Sequence, residues 1–153
     1  MKLFIASDHA GFQLKSELIR QKNLKYSDYP DINLIDLGTA CNESCDYPVF
    51  ANKLVENLIN ASETDRGILI CGTGIGMSIA ANRYPQIRAA LCFNEEMAIM
   101  SRRHNNANVL VLGARIINLH VAVQCVQAFL KTDFEGGRHE RRLALIDECA
   151  NNH

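Results

Sequence analysis

A cysteine opens a glycine-rich stretch, Cys71-Gly72-Thr73-Gly74-Ile75-Gly76-Met77. Glycines let a backbone approach a ligand closely, and the free amides at the start of a following helix point at it. The helix dipole adds positive potential, so the expected guest is an anion or a developing oxyanion. Thiols beside helix starts ionise readily and serve as nucleophiles or general bases. Two plainer readings stand beside this: a tight strand-to-helix turn without a ligand, and a thiol that only fills core. The glycine spacing is not G-x-G-x-x-G and no Lys-Ser/Thr pair follows, so neither nucleotide fingerprint fits. A tyrosine-phosphatase loop would need an arginine where this chain has Met77.

Other polar groups could join that chemistry. Asp8-His9 sets a carboxylate beside an imidazole, suited to proton transfer and to holding an anion. Alternatively Asp8 caps the helix that follows and His9 is a surface residue. A polar cluster runs from Ser101 to Asn108 and contains His104 and Asn105. It is either a solvated loop or part of a site completed across a subunit interface. Arg138 and Arg142 are one helical turn apart and share a face, a fork pair suited to phosphate, and Arg115 could join them. A solvated basic helix end is the alternative.

These residues need elements to position them. Short apolar runs at Lys2–Ser7, Asn33–Leu37, Gly67–Cys71, Arg88–Cys92 and Asn108–Leu112 read as strands. Helical spacing spans Gly11–Gln21, Tyr47–Ile59, Gly76–Asn82, Asn94–Arg103, Asn118–Leu130 and Arg138–Cys149, with Asn94 and Asn118 as N-caps. Strands alternating with helices predict a doubly wound α/β domain over residues 1–153: a five-stranded parallel sheet between helical layers, with a C-terminal helix. Ligands in such folds sit beyond the carboxyl ends of the strands, near the switch in strand order. With the order 2-1-3-4-5, the loops after strands one and three line one crevice. His104 and Asn105 precede strand five, at the wrong end for the crevice of their own chain.

Composition narrows the class. The 153 residues carry 16 basic and 17 acidic side chains, a net charge of −1, which argues against a nucleic-acid or membrane-surface partner. No apolar run suits a membrane span or a signal-peptide core, so a cytoplasmic protein is expected. Its six cysteines are then expected as reduced thiols, with Cys92 and Cys125 filling core. Cys41, Cys45 and Cys149 carry no reading beyond loop or surface. No cysteine or histidine set has zinc-ligand spacing, so no metal is expected.

Together, Asp8-His9-Ala10-Gly11, Asp46-Tyr47-Pro48, the Cys71–Met77 loop, Ser78-Ile79-Ala80-Ala81-Asn82, His104-Asn105-x-x-Asn108-Val109-Leu110, Gly113-x-Arg115 and Glu135-Gly136-Gly137-Arg138-His139 stand in a familiar order. The chain resembles the type B ribose-5-phosphate isomerases, within the sugar-phosphate isomerases that include galactose-6-phosphate isomerase subunits. The resemblance covers about positions 2–147. It implies a Rossmann-like three-layer sandwich that dimerises, or forms a dimer of dimers, with active sites shared between subunits and no cofactor. It implies that Cys71 moves the proton between C1 and C2, while Thr73 and the amides of Gly72, Gly74, Ile75 and Gly76 steady an enediolate. Asp8 and His104 would open the furanose ring, Asn105 would bind a hydroxyl and Tyr47 would line the pocket. His9, Arg115, Arg138 and Arg142 would hold the phosphate. Some relatives place a glutamate base where this chain has Met77, so this chain is similar to the cysteine form.

Rival readings remain. An isomerase of allose 6-phosphate or galactose 6-phosphate is the nearest. A non-catalytic phosphate-binding module would depend on neither Cys71 nor His104. A thiol redox protein would need a resolving cysteine beside Cys71, and none is adjacent in sequence.

Overall fold

Each strand places alternate residues on opposite faces, and these strands are apolar on both, so both faces must be covered. In the computed structural model, β1 (Lys2–Ser7), β2 (Asn33–Asp36), β3 (Arg66–Cys71), β4 (Ala89–Leu91) and β5 (Val109–Gly113) form one parallel sheet. The helices are α1 (Phe12–Lys25), α2 (Tyr47–Ile59), α3 (Ile75–Ala81), α4 (Glu95–Asn105), α5 (Leu119–Lys131) and α6 (Arg138–Asn151). The structure describes residues 1–25 and 32–151, without the side chains of 22–25 and 149–151. The side chain of Cys149 therefore lies outside the described residues.

The alternation divides the core in two. Leu3, Ile5, Ile68, Ile70, Leu110 and Leu112 pack with α1, α4 and α5. Phe4, Ala6, Leu69, Cys71, Val109 and Val111 pack with α2 and α3 on the other face. This is the expected three-layer sandwich. Asn94 and Asn118 cap α4 and α5, their side chains accepting from Met97 N at 2.9 Å and Val121 N at 3.0 Å.

The strand order is β2-β1-β3-β5-β4, so the expected places of β4 and β5 are exchanged. Burial explains the exchange. Every residue of β5 is buried, which suits an interior strand, whereas the three residues of β4 are all half-buried, which suits an edge. The feature that matters for the site survives: β1 and β3 are neighbours, with Ser7 opposite Ile70.

The carboxyl end of β1 is braced on its other side. Ser7 donates to Gly38 O at 2.7 Å and accepts from Thr39 N at 2.8 Å. Asp36 holds that segment by accepting from Gly38 N at 2.9 Å. Lys15 of α1, only 1% exposed, donates to both Asp36 oxygens at 2.6 Å. A buried ammonium needs such a partner.

Candidate active site

Four connections meet at the carboxyl ends of the strands. The first runs from β1 into α1. Asp8, 6% exposed, accepts from Gly11 N through Oδ1 at 3.0 Å. The capping role expected of Asp8 is therefore real, and it fixes the carboxylate beside the mouth of β3. A Cβ on Gly11 would lie 2.5 Å from Ile70 O, so only glycine lets α1 start this close to β3. His9 Nδ1 accepts from Cys45 N at 3.2 Å. The same nitrogen lies 3.3 Å from Cys45 O, so the Cys45 backbone orients the ring from both its amide and its carbonyl.

The second connection is the glycine loop. Cys71 ends β3 with its thiol 5% exposed, and Gly74 N–H donates to Sγ at 3.1 Å. The amide fixes the sulfur at the mouth of the loop. Gly74 is left-handed at φ +80 and lies against Leu112, where an added Cβ would meet the carbonyl carbon at 3.2 Å. Thr73 is exposed, and its Oγ1 accepts from Ile75 N at 3.4 Å. Because α3 has only seven residues, the local amides matter more here than a helix dipole. Met77, fully buried in the α2–α3 core, offers no base.

The third and fourth connections close over this loop. A Cβ on Gly76 would sit 2.7 Å from the Tyr47 ring, so the first residue of α2 packs directly across the loop. A Cβ on Gly72 would sit 3.3 Å from Arg115 Nη1, and Arg115 N donates to Gly72 O at 2.9 Å. Arg115 therefore spreads its guanidinium over the first glycine. Asp8, His9, Tyr47, Cys71, Gly72, Thr73, Gly74, Ile75, Gly76 and Arg115 all belong to these four connections.

His104, Asn105, Arg138 and Arg142 do not join them. His104 and Asn105 end α4, before the amino-terminal end of β5, and α6 starts beside them. The His104 and His139 rings stack at 4.3 Å with planes 10° apart. Glu135 Oε2 lies 3.9 Å from His104 Nε2 and 3.8 Å from His139 Nε2. Asn105 lines a groove of about 450 Å³ with Leu143 and Ile146 of α6. The pKa of His139 is lowered by burial and by the neighbouring His104, Arg138 and Arg142, with Glu135 opposing.

Three residues here escaped the sequence reading. Glu135 and His139 stood only as parts of a motif, with no role attached. Arg102, read as part of a polar cluster, is 4% exposed. It donates to Thr132 O at 3.2 Å, Asn106 Oδ1 at 2.9 Å and Ala107 O at 2.6 Å. Burial and the Arg66 guanidinium push its pKa down to about 10. These contacts fix the last turn of α4, which carries His104.

The His104, Glu135 and His139 ligand atoms lie within 4.8 Å of one another, close enough to consider a metal ion. The surroundings oppose one. Arg138 Nε donates to His139 Nε2 at 3.4 Å, Arg103 Nε lies 3.6 Å from Glu135, and Arg142 adds a third positive charge. Cys92 and Cys125 fill core as expected, and Cys41 is exposed.

Comparison with known proteins identifies the family and the fold. Residues 3–146 match the family described as Ribose/Galactose Isomerase. Ribose-5-phosphate isomerase B of Escherichia coli is 41% identical over 145 residues, covering 95% of this chain and 93% of that protein. A ribose 5-phosphate isomerase from Thermotoga maritima superposes with a TM-score of 0.88 at 51% identity, covering 96% of this chain and 97% of the other. Ribose-5-phosphate isomerase B from Mycoplasma genitalium, solved with bound ribulose-5-phosphate, has a TM-score of 0.89 at 40% identity, covering 99% and 97%. With a match across almost its whole length and the same fold, this chain belongs to the ribose/galactose isomerase family.

Proposed function

We propose that this chain is an aldose–ketose isomerase interconverting D-ribose 5-phosphate and D-ribulose 5-phosphate, as in the non-oxidative pentose phosphate pathway. The observation that carries the reading is the Cys71 thiol, buried at the end of β3 and accepting the Gly74 amide at 3.1 Å beside the Asp8 carboxylate loop. A proton alpha to a carbonyl is weakly acidic, so its removal needs a positioned base and a donor set for the oxyanion that forms. Cys71 as thiolate takes the C2 proton of the open-chain aldose. The electron pair moves into a C1–C2 double bond and the carbonyl oxygen becomes an enediolate. Thr73 and the amides of Gly72, Gly74, Ile75 and Gly76 stabilise that oxygen. Return of the proton to C1, with the C2 hydroxyl proton passing to the enediolate oxygen, yields the ketose.

The aldose is mostly a furanose, so its C1–O4 bond must break first. One of Asp8 and His104 accepts the anomeric hydroxyl proton while the other supplies the proton to the ring oxygen. Asn105 binds a sugar hydroxyl and Tyr47 walls the pocket. His9, Arg115, Arg138 and Arg142 bind the phosphate, whose binding energy holds the reacting carbons in place.

A shared site reconciles the two ends of the sheet. A two-fold partner can bring its amino-terminal cluster to this chain's crevice, which makes a homodimer, alone or within a dimer of dimers, the working unit. Ile75 and Ile79, one turn apart on α3 at 53% and 62% exposed, are apolar residues beside the crevice that such a partner would cover. Free thiols on a domain in which no described helix is long and apolar enough to cross a membrane fit the reducing cytoplasm.

The test is turnover by purified protein in EDTA of ribose 5-phosphate, allose 6-phosphate and galactose 6-phosphate. Preferred conversion of the pentose is expected. Preference for a hexose would reassign the substrate, and no conversion would return the chain to a binding role.

A further inference from the structure

His104 occupies an exposed place for a residue that must deliver or accept a proton. Its side chain is 37% exposed, on the last turn of α4, two residues before the left-handed cap Asn106. A histidine free on such a helix end samples several rotamers, and ordering it costs entropy. Proton transfer needs a heavy-atom approach of about 2.6–3.2 Å, so the ring must be held by something else.

Two neighbours hold it. His139, 5% exposed, lies against the His104 ring at 4.3 Å with nearly parallel planes. Glu135 Oε2 sits almost equidistant from the two Nε2 atoms, at 3.9 and 3.8 Å. Those spacings exceed a direct hydrogen bond, so the carboxylate acts through its charge. The carboxylate is itself fixed: Glu135 N donates to Arg103 O at 3.1 Å, and Oε1 lies 3.6 Å from Arg103 Nε. Arg138 Nε donates to His139 Nε2 at 3.4 Å, so that nitrogen is the acceptor and His139 is neutral with its proton on Nδ1. Burial and the facing Arg138 and Arg142 charges keep it so. Glu135 is thus the carboxylate that faces both imidazoles through Oε2, with Arg103 on its other oxygen.

We propose that His139 and Glu135 are positioning residues for ring opening: the stacked ring sets the plane of His104, and the carboxylate sets which way its Nε2 faces. This rests on the isomerase reading above. It makes a separation that chemistry allows to be measured. Ribulose 5-phosphate cannot close a furanose ring, because its O5 is esterified, so exchange of its C1 proton with D2O reports the Cys71 step without ring opening.

The experiment compares wild type with H139A, H139F and E135Q, each confirmed folded by circular dichroism and melting. H139A is expected to lower kcat on ribose 5-phosphate by about 10- to 100-fold, as a misplacement near 1 Å does, with KM within about 2-fold. Its C1 exchange rate on ribulose 5-phosphate is expected within about 2-fold of wild type. H139F keeps the stacked plane and is expected to recover most of the lost kcat. E135Q keeps the shape without the charge and is expected to fall between H139A and wild type. Equal losses of turnover and exchange, wild-type turnover in H139A, or no rescue by phenylalanine would overturn the positioning role. Wild-type protein that exchanges no C1 proton would instead overturn the isomerase reading, and the inference with it.

Discussion

The Gly74 amide points at the Cys71 sulfur from 3.1 Å, across a loop whose left-handed turn at Gly74 makes the approach possible. The contact ties reactivity to backbone shape, since an L-residue at φ +80 is strained and an added Cβ meets Leu112. In the proposed mechanism the base and its oxyanion donors therefore come from one turn. Cys71→Ala should lower kcat by about 10²- to 10⁴-fold, the usual contribution of a general base. Substrate binding, measured by calorimetry with ribose 5-phosphate, should change little. Turnover at wild-type rate would remove Cys71 from the proton transfer.

Gly76 and Tyr47 give a second, purely steric prediction. A methyl group on Gly76 would press into the Tyr47 ring at 2.7 Å, and the ring would have to move off the loop. Gly76→Ala should therefore raise KM several-fold, and Tyr47→Ala in the same chain should relieve part of that rise. Independent, additive effects in the double-mutant cycle would show that the ring and the loop do not share one wall.

Arg102 should matter for folding more than for chemistry. Arg102→Met leaves the carbonyls of Thr132 and Ala107 and the Asn106 amide oxygen without their donor. Lost buried hydrogen bonds to a charged group cost about 1.5–3 kcal/mol each, but Met also removes the desolvation cost of the buried guanidinium, so a net loss of about 2–4 kcal/mol is expected in urea unfolding. A change under about 0.5 kcal/mol would mean the guanidinium contributes little to the end of α4.

The buried thiols set a pH dependence. Burial, then the neighbouring Cys125, push Cys92 up to about 12, and burial, then Glu95, push Cys125 up to about 11. Under about pH 8, well below the ordinary thiol pKa, both are protonated in the folded and unfolded chain alike, and they add almost no slope. Above pH 9 the unfolded thiols lose protons that the native ones keep, so stability must fall as pH rises from 9 towards 12. Cys92→Ala with Cys125→Ala should flatten that fall in melting scans from pH 8 to 10.5. At pH 8, iodoacetamide should label exposed Cys41 quickly and leave Cys92 and Cys125 unlabelled until the chain unfolds. Fast labelling of Cys92 or Cys125 in native protein would contradict their burial.

The sequence was most legible where a residue's own type dictates its place. Apolar runs with two buried faces marked β1, β3 and β5, and Asn94 and Asn118 marked helix starts because their side chains satisfy orphan amides. The crevice was legible because a strand-end rule selects the Asp8 and Cys71 loops, whichever way the later strands are ordered. The exchange of β4 and β5 was not legible, since a crossover to either side leaves the same local pattern. Only the burial of Val109–Gly113 against the half-burial of Ala89–Leu91 decides it. Lys15 and Arg102 were hidden by their charge: cations are normally solvated, and only tertiary partners, Asp36 and three oxygen acceptors, make them interior. His139 was hidden because its significance lies in stacking on a residue 35 positions away.

The central claim is that the Cys71 crevice and the His104 cluster, at opposite ends of the sheet in one chain, work together as one site between two chains. Mixing Cys71→Ala with His104→Ala, each inactive alone, and letting subunits exchange tests it directly. In a two-fold dimer each mixed pair regains one intact site, so random exchange should restore about a quarter of wild-type ribose 5-phosphate turnover. A mixture that stays inactive while exchange is verified by native mass spectrometry would contradict the shared site, and so would full activity in His104→Ala alone.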